Sequence, residues 1–477
     1  MSLAESVVNH CQRVWRESII AALTDYIRIP NVSAAFDDDW AAHGYMDEAV
    51  ALVREWCAAR AVAGMRIDVH EIPGRTPLIL IEIPAFGEGS NDDTVLLYGH
   101  VDKQPEMSGW RNGLGPWTPV IENGRLYGRG GADDGYAAFA SLAAIEAVQA
   151  GGGSHARCVV VIEASEESGS PDLPAHLAAL AARIGVPSLV LCLDSGALDY
   201  ERLWVTTSLR GVVAGVLTVR ILTEGVHSGD ASGVVPSSFR IARDLLDRVE
   251  NSATGEILVD ELHVKIPPDR IAQAKATAAE FAPIAHDMPF VDGAQPMTDN
   301  PAEQLINRTW KPTLSVIGAD GFPPMDRAGN VLRPFTSLRL SFRIPPGCDP
   351  DRALAAIADR LTTDPPYGAQ VTFTGREAAP GWNAPSFAPW LDAALDEAST
   401  TSWGRPARAF GEGGSIPFMG MLGEQFPDAQ FVVTGVLGPG SNAHGPNEFL
   451  DLACGERVTA ALSIVLDHHA RRGSSIA

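Results

Sequence analysis

Near-continuous apolar runs alternate, along the first half of the chain, with longer stretches of helical periodicity. The runs are LILIEIPA (78–85), TVLLYGH (94–100), RCVVVIEA (157–164) and SLVLCLDS (188–195). A strand with one face in water shows every second position polar, so runs without that alternation predict strands covered on both faces. AAFASLAAIEAVQAG (137–151) and LPAHLAALAARIG (173–185) predict helices that close near glycines. Helical spacing also covers residues 1–30 and 46–64, with the break IPNVSAAFDDDW between them. The alternation predicts an α/β fold with a mostly parallel central sheet and helices on both faces.

The texture changes near residue 209. LRGVVAGVLTVRIL, SLRLSFRIPP and QVTFTG alternate like half-exposed strands, and SSFRIARDLLDRVEN is an amphipathic helix. Residues 251–335 are rich in Pro, Asp and Gly and give no clear elements. Helix and strand texture returns with FAPWLDAALDEAST, AQFVVTGVLGPGSNAHGPNEFLD and LACGERVTAALSIVLDHHA. The pattern predicts a catalytic domain made of residues 1–208 and 389–477, interrupted by an inserted α+β lid over 209–388. A length of 477 residues agrees with more than one core.

Charge and composition narrow the partners. The formal charge of −23, from 36 basic and 59 acidic residues, disfavours nucleic acid and anionic membranes. No run approaches the roughly 18 apolar residues of a membrane span, and the N-terminal residues lack the apolar stretch of a signal peptide. Those two features predict a cytoplasmic protein, and six scattered cysteines with no CxxC pair argue against a disulfide framework or a structural cysteine-zinc site.

Candidate chemistry sits at the strand ends, where open α/β sheets place their ligands. The run at 94 ends in His100 and Asp102, that at 157 leads to Glu166 and Glu167, that at 188 delivers Asp194, and the late strand near 430 leads to His444. GRLYGRGGADDGYAAF sets Asp133 and Asp134 at the mouth of a helix. Each alone has an ordinary explanation as a cap, a surface carboxylate or a structural histidine. Independent caps and surface groups have no reason to terminate every central strand. Two histidines and three carboxylates fit two divalent cations sharing one bridging carboxylate, zinc or another ion that accepts nitrogen and oxygen. Such a pair clamps a water and lowers its pKa toward neutrality. A residue that is not a ligand must take the proton, and Glu166 and Glu167 can divide ligand and base between them. Asp102 can accept a hydrogen bond from the His100 nitrogen that faces away from the metal.

GHVDKQP, LYGRGGADD, EASEESGS, LCLDSG, GVHSG, FGEGGSIP and SNAHGPNE, in this order, resemble the co-catalytic metallopeptidases that include carnosine dipeptidases, glutamate carboxypeptidases, acetylornithine deacetylases and succinyl-diaminopimelate desuccinylases, most of all the dipeptidase branch. The resemblance implies His100 and Asp194 on one metal, Glu167 and His444 on the other, Asp133 bridging, Glu166 as general base and Asp102 supporting His100. It implies two zinc ions, with manganese or cobalt as alternatives, and a cis peptide between Asp133 and Asp134. It further implies that His227, reaching across a homodimer formed through the inserted domain, stabilises the oxyanion, and that Arg343 holds the substrate carboxylate. Glu412, Gly413, Gly414 and Ser415 resemble a substrate-lining loop. One departure is visible: Gly135 stands where the family has a lysine. The expected activity is hydrolysis of small peptides with a free C-terminal carboxylate; the alternatives are an N-acyl amino acid deacylase and an inactive metal-binding relative.

Overall fold

The computed structural model describes residues 2–87, 93–414 and 416–472. The chain divides into two compact units, one formed by Met1–Thr207, Ala384–Ala409 and Met421–Ala477, the other by Ser208–Asn383 and Phe410–Gly420. Residues 410–420, which the sequence pattern placed with the catalytic segments, thus fall in the second unit. Contacts within that unit account for it: the Gly413 carbonyl accepts a hydrogen bond from Arg210 Nε at 3.2 Å, and a Cβ on Gly413 would stand 3.1 Å from the Arg308 side chain.

In the first unit the strands are β1 (Arg66–His70), β2 (Leu78–Ile83), β3 (Thr94–His100), β4 (Arg157–Glu163), β5 (Pro187–Cys192), β6 (Trp204–Leu209) and β7 (Gln430–Val433), in the spatial order β1-β2-β4-β3-β5-β7-β6. The central strands β4, β3, β5 and β7 are parallel, while β1 and β2 at one margin and β6 at the other pair antiparallel. The apolar run of β2 therefore reports burial on both faces and not strand direction. Every residue of β3 is buried. The helix Tyr136–Ala150, apolar on all sides and buried from Tyr136 to Val148, packs against Leu3–Val14 and Leu452–Arg471. Gly99 lets β3 approach that helix, since a Cβ there would lie 2.4 Å from the Cβ of Ala137. This close packing aims the end of β3 at the turn carrying Asp133.

The second unit is built on an antiparallel sheet in the order Thr313–Asp320, Phe335–Ile344, Gly211–Arg220, Gln370–Ala379. Along Phe335–Ile344 the buried positions Thr336, Leu338, Leu340, Phe342 and Ile344 alternate with more accessible ones, as a sheet with one covered face requires. The covering helices Ser238–Leu246 and Pro350–Thr362 contribute Ile241, Leu245, Ile357 and Leu361 to the same core. Residues 251–335, unreadable by periodicity, hold the helices Pro268–Glu280 and Pro301–Trp310 as well as the edge strand Thr313–Asp320. All six cysteines are buried and unpaired. Among the described residues no helix is long and apolar enough to cross a membrane.

Candidate metal centre

The parallel strands deliver their C-terminal ends to one edge of the first unit. His100 is the last residue of β3, Glu166 and Glu167 occupy a tight turn just beyond β4, and Asp194 follows β5. Asp133 lies in the Gly131–Gly135 turn that opens the helix Tyr136–Ala150, and the peptide joining it to Asp134 is cis. His444 stands on a glycine- and asparagine-rich turn beyond β7, at a left-handed φ of 64°.

Two donor groups form around Asp133. One is His100, Asp133 and Asp194; the other is Asp133, Glu167 and His444. His100 Nε2 lies 3.4 Å from Asp133 Oδ1 and 3.9 Å from Asp194 Oδ2. His444 Nε2 lies 3.0 Å from Asp133 Oδ2 and 3.3 Å from Glu167 Oε2. Ligand atoms about 2.0–2.1 Å from one tetrahedral zinc-sized ion stand roughly 3.3 Å apart, so these gaps match a shared cation. A second observation agrees. His100 Nδ1 donates to the backbone carbonyl of Asp102 at 3.1 Å, which leaves the lone pair on Nε2, and Nε2 is buried without a hydrogen-bond partner. A buried polar atom in that state asks for a partner, and a divalent cation supplies one.

The electrostatics point the same way. Burial works to lower the His100 imidazole, but Asp102 and Asp133 beside it hold it well above its ordinary value. Burial likewise opposes charge on His444, and Asp133 again wins and raises it. Burial would push Asp133 up, yet the two imidazoles hold it below the usual carboxylate range. Glu166 and Glu167 are driven well above that range, by burial first and then by Asp194 and Asp133 respectively. Carboxylates crowded out of water in this way need positive charge nearby; the two imidazoles supply it by holding protons, and divalent cations would displace those protons.

Asp102 faces both His100 and the turn beyond β4. Its carboxylate is 3.4 Å from His100 Nδ1, a longer approach than its own backbone carbonyl makes. The carboxylate also accepts the backbone amides of Glu166 at 3.1 Å and Glu167 at 2.9 Å. At two residues beyond His100 the chain has left the strand, so the imidazole meets the backbone first and the side chain reaches the neighbouring turn. Gln104 completes the set by donating to Glu167 Oε2 at 2.6 Å.

Supporting residues given no role by the sequence pattern hold these loops. Arg129 donates to Glu448 Oε2 at 2.5 Å, to the Gly445 carbonyl at 2.9 Å and to the Pro105 carbonyl at 3.2 Å, while the Gly130 amide donates to Glu448 Oε1 at 3.0 Å. Lys103, fully buried, donates from Nζ to the carbonyls of Tyr26 at 2.8 Å and Ile29 at 2.7 Å and lies over the Tyr26 ring. Both basic residues stand inside the glycine-rich and apolar motifs already singled out; a charge embedded in such a motif was the available signal. At Gly135 a Cβ would meet Tyr26 Cε1 at 2.2 Å, so no lysine fits there without displacing Tyr26.

The remaining expected residues lie in the second unit. His227 pairs with Val331 at the end of a two-residue strand, and its side chain is 66% exposed. Arg343 is half-buried on the sheet, Glu412 and Gly413 are half-buried, and Gly414 is exposed. Ser415 lies outside the described residues.

A parallel α/β unit whose strand ends gather nitrogen and oxygen donors around a shared carboxylate defines a metal-dependent hydrolase. The chain belongs to peptidase family M20/M25/M40, whose profile matches residues 96–468. It is a metallopeptidase, and the family implies divalent metal ions. A cysteinylglycine-S-conjugate dipeptidase of Corynebacterium striatum is 28% identical over 370 residues, covering 75% of this chain and 77% of that one. A Cys-Gly metallodipeptidase of Schizosaccharomyces pombe is 25% identical over 359 residues, 73% of each chain. Among solved structures, human carnosine dipeptidase 1 superposes with a TM-score of 0.77 at 20% identity, over 99% of both chains, and shares the fold.

Proposed function

We propose that the chain is a dipeptidase acting on small peptides with a free C-terminal carboxylate through two divalent cations, zinc in the first place and manganese or cobalt as acceptable substitutes. The observation that carries this is the pair of donor groups sharing Asp133, with the orphaned His100 Nε2 at the centre of one of them. His100 and Asp194 would hold one ion, Glu167 and His444 the other, and Asp133 both. The ions, when bound, supply Lewis-acid activation of water and of the scissile carbonyl.

The chain's own groups do the rest. Glu166, beside the ligand Glu167, takes the proton from the attacking water and returns it to the departing amine. Asp102 fixes the Glu166–Glu167 turn through both amides, so it positions base and ligand together. His227, provided by the second subunit of a homodimer built through the inserted unit, stabilises the oxyanion. Arg343 grips the terminal carboxylate as a planar fork, and the 412–415 loop lines the substrate. The names of the relatives, Cys-Gly and cysteinylglycine-conjugate dipeptidases, support a dipeptide substrate. Six buried free thiols support a reducing, cytoplasmic setting.

The test is metal-reconstituted protein assayed on Cys-Gly, β-Ala-His and a set of N-acetyl amino acids, with Glu166→Gln alongside. Hydrolysis of dipeptides, its loss on chelation, and a fall of 100-fold or more in kcat for Glu166→Gln with metal content unchanged are expected. Turnover of acyl amino acids with inert dipeptides would reject the substrate class. Unchanged kcat in Glu166→Gln would reject the base.

A further inference from the structure

Three arginines converge in the second unit. On the sheet, Arg343 stands directly opposite Thr313, so the two side chains share a face. Arg210 reaches that face: its Nη1 donates to Thr313 Oγ1 at 3.1 Å, and its Nε to the Gly413 carbonyl at 3.2 Å. Arg308, from the helix Pro301–Trp310, also borders Gly413. A Cβ at that glycine would be 3.1 Å from both Arg210 Nη2 and Arg308 Cγ. Arg210 is 8% exposed, and Arg308 Nε is buried without a hydrogen-bond partner. Burial and the two neighbouring guanidiniums hold Arg210 down at about 10, and Glu412 is the carboxylate that acts on Arg308.

Like charges are gathered here, partly out of water, in a chain whose formal charge is −23. Glu412 acts on Arg308 and offsets one of the three charges. One carboxylate from a substrate occupies one guanidinium fork. The remaining positive charge asks for a second anion.

We propose that this cluster is a two-anion subsite that selects peptides whose C-terminal residue carries an acidic side chain, glutamyl or aspartyl, with Arg343 on the terminal carboxylate and Arg308, reinforced by the field of Arg210, on the side-chain carboxylate. This rests on the dipeptidase function proposed above. A neutral isostere such as glutamine fills the same space and leaves the Arg308 donors unpaired, so discrimination falls on charge and not on size. Beside the cluster Glu412 and Gly413 are half-exposed and Gly414 is exposed.

The experiment compares kcat/KM for Ala-Glu, Ala-Asp and Ala-Gln with the metal-reconstituted parent and with Arg308→Gln. The parent is expected to favour Ala-Glu over Ala-Gln by on the order of 10- to 100-fold, mostly through KM, and Arg308→Gln to bring that ratio toward one. Equal kcat/KM for Ala-Glu and Ala-Gln in the parent overturns the proposal, as does an unchanged ratio in a variant whose circular dichroism matches the parent. Calorimetric titration with L-glutamate, L-glutamine and inorganic phosphate separates this from failure of the dipeptidase reading. If no dipeptide is cleaved, tighter glutamate than glutamine or phosphate still upholds the subsite. Equal binding of glutamate and glutamine rejects it, and phosphate binding tighter than glutamate replaces the acidic side chain with a phosphate ligand.

Discussion

Replacing Arg129 by methionine should unfasten the metal centre without touching a ligand. The Arg129 and Glu448 side chains are 1% and 0% exposed, so the substitution takes from a buried carboxylate the guanidinium bonded to it. Breaking a buried pair from one side costs about 3–5 kcal/mol. The carbonyls of Gly445 and Pro105 lose their donor as well. Gly445 follows His444, Pro105 lies three residues beyond Asp102, and Gly130, which donates to Glu448, lies three before Asp133. The loss therefore falls on the loops that bring His444 and Asp133 to the second group, and leaves the Glu167 turn to Asp102 and Gln104. At roughly 1.6 °C per kcal/mol for a unit of this size, thermal unfolding should move down by about 5–8 °C. Binding of the ion held with His444 should weaken more than binding of the ion held with His100, whose imidazole is anchored through Asp102 on its own strand end. Thermal denaturation, followed by a two-site calorimetric zinc titration, reads both effects. Glu448→Leu placed on Arg129→Met should recover part of the lost stability, because the buried carboxylate is then gone. A variant melting within about 1 °C of the parent, with both ions bound as before, would refute the assignment of Arg129 as the fastening group.

Gly135→Ala pits two effects against each other. Alanine favours helix over glycine by about 1 kcal/mol, but its Cβ would enter within 2.2 Å of Tyr26 and 2.5 Å of the Gly130 carbonyl. Crowding of that kind costs about 1–3 kcal/mol or more, so denaturant titration should show net destabilisation; a gain would mean that Tyr26 yields freely. Glu163, raised to about 7 by burial and then by Asp102, supplies a pH signature. Its folded-state pKa exceeds its unfolded value, so its contribution is complete below about pH 4.5 and is lost as pH rises through 7, about 3 kcal/mol in all. Urea unfolding of metal-free Glu163→Gln at pH 5 and pH 8 should show a stability difference smaller than the parent's by that order, and an equal difference in both proteins would contradict the shift.

The strand ends were legible because burial on both faces writes itself as an unbroken apolar run, and the polar residue that breaks the run marks where the sheet stops. That is how His100, Glu166, Glu167 and Asp194 could be picked out before any coordinates. What pairs with what was not legible. β2 looks like its parallel neighbours yet runs against them, since covering both faces needs the same residues in either direction. The bond partners of Asp102 depend on a turn whose shape is set by β4's exit, far away in sequence. Residues 410–420 lie among catalytic segments in the chain yet join the other unit through Arg210 and Arg308, contacts that no local pattern records. The strand Thr313–Asp320 was hidden for another reason: with none of its positions fully buried, it lacks the apolar signal that marks a strand.

The six sealed cysteines bear on how metal binding will look in solution. Burial raises the thiols of Cys11 and Cys57 to about 12 and that of Cys348 to about 11, so at neutral pH the folded chain offers a thiophilic cation almost no sulfur. Unfolding releases all of them at once. The denatured chain then becomes a competing zinc trap, and added zinc will protect the native state by less than its affinity for the folded centre would suggest, whereas manganese, with little appetite for thiolates, will be spared that discount.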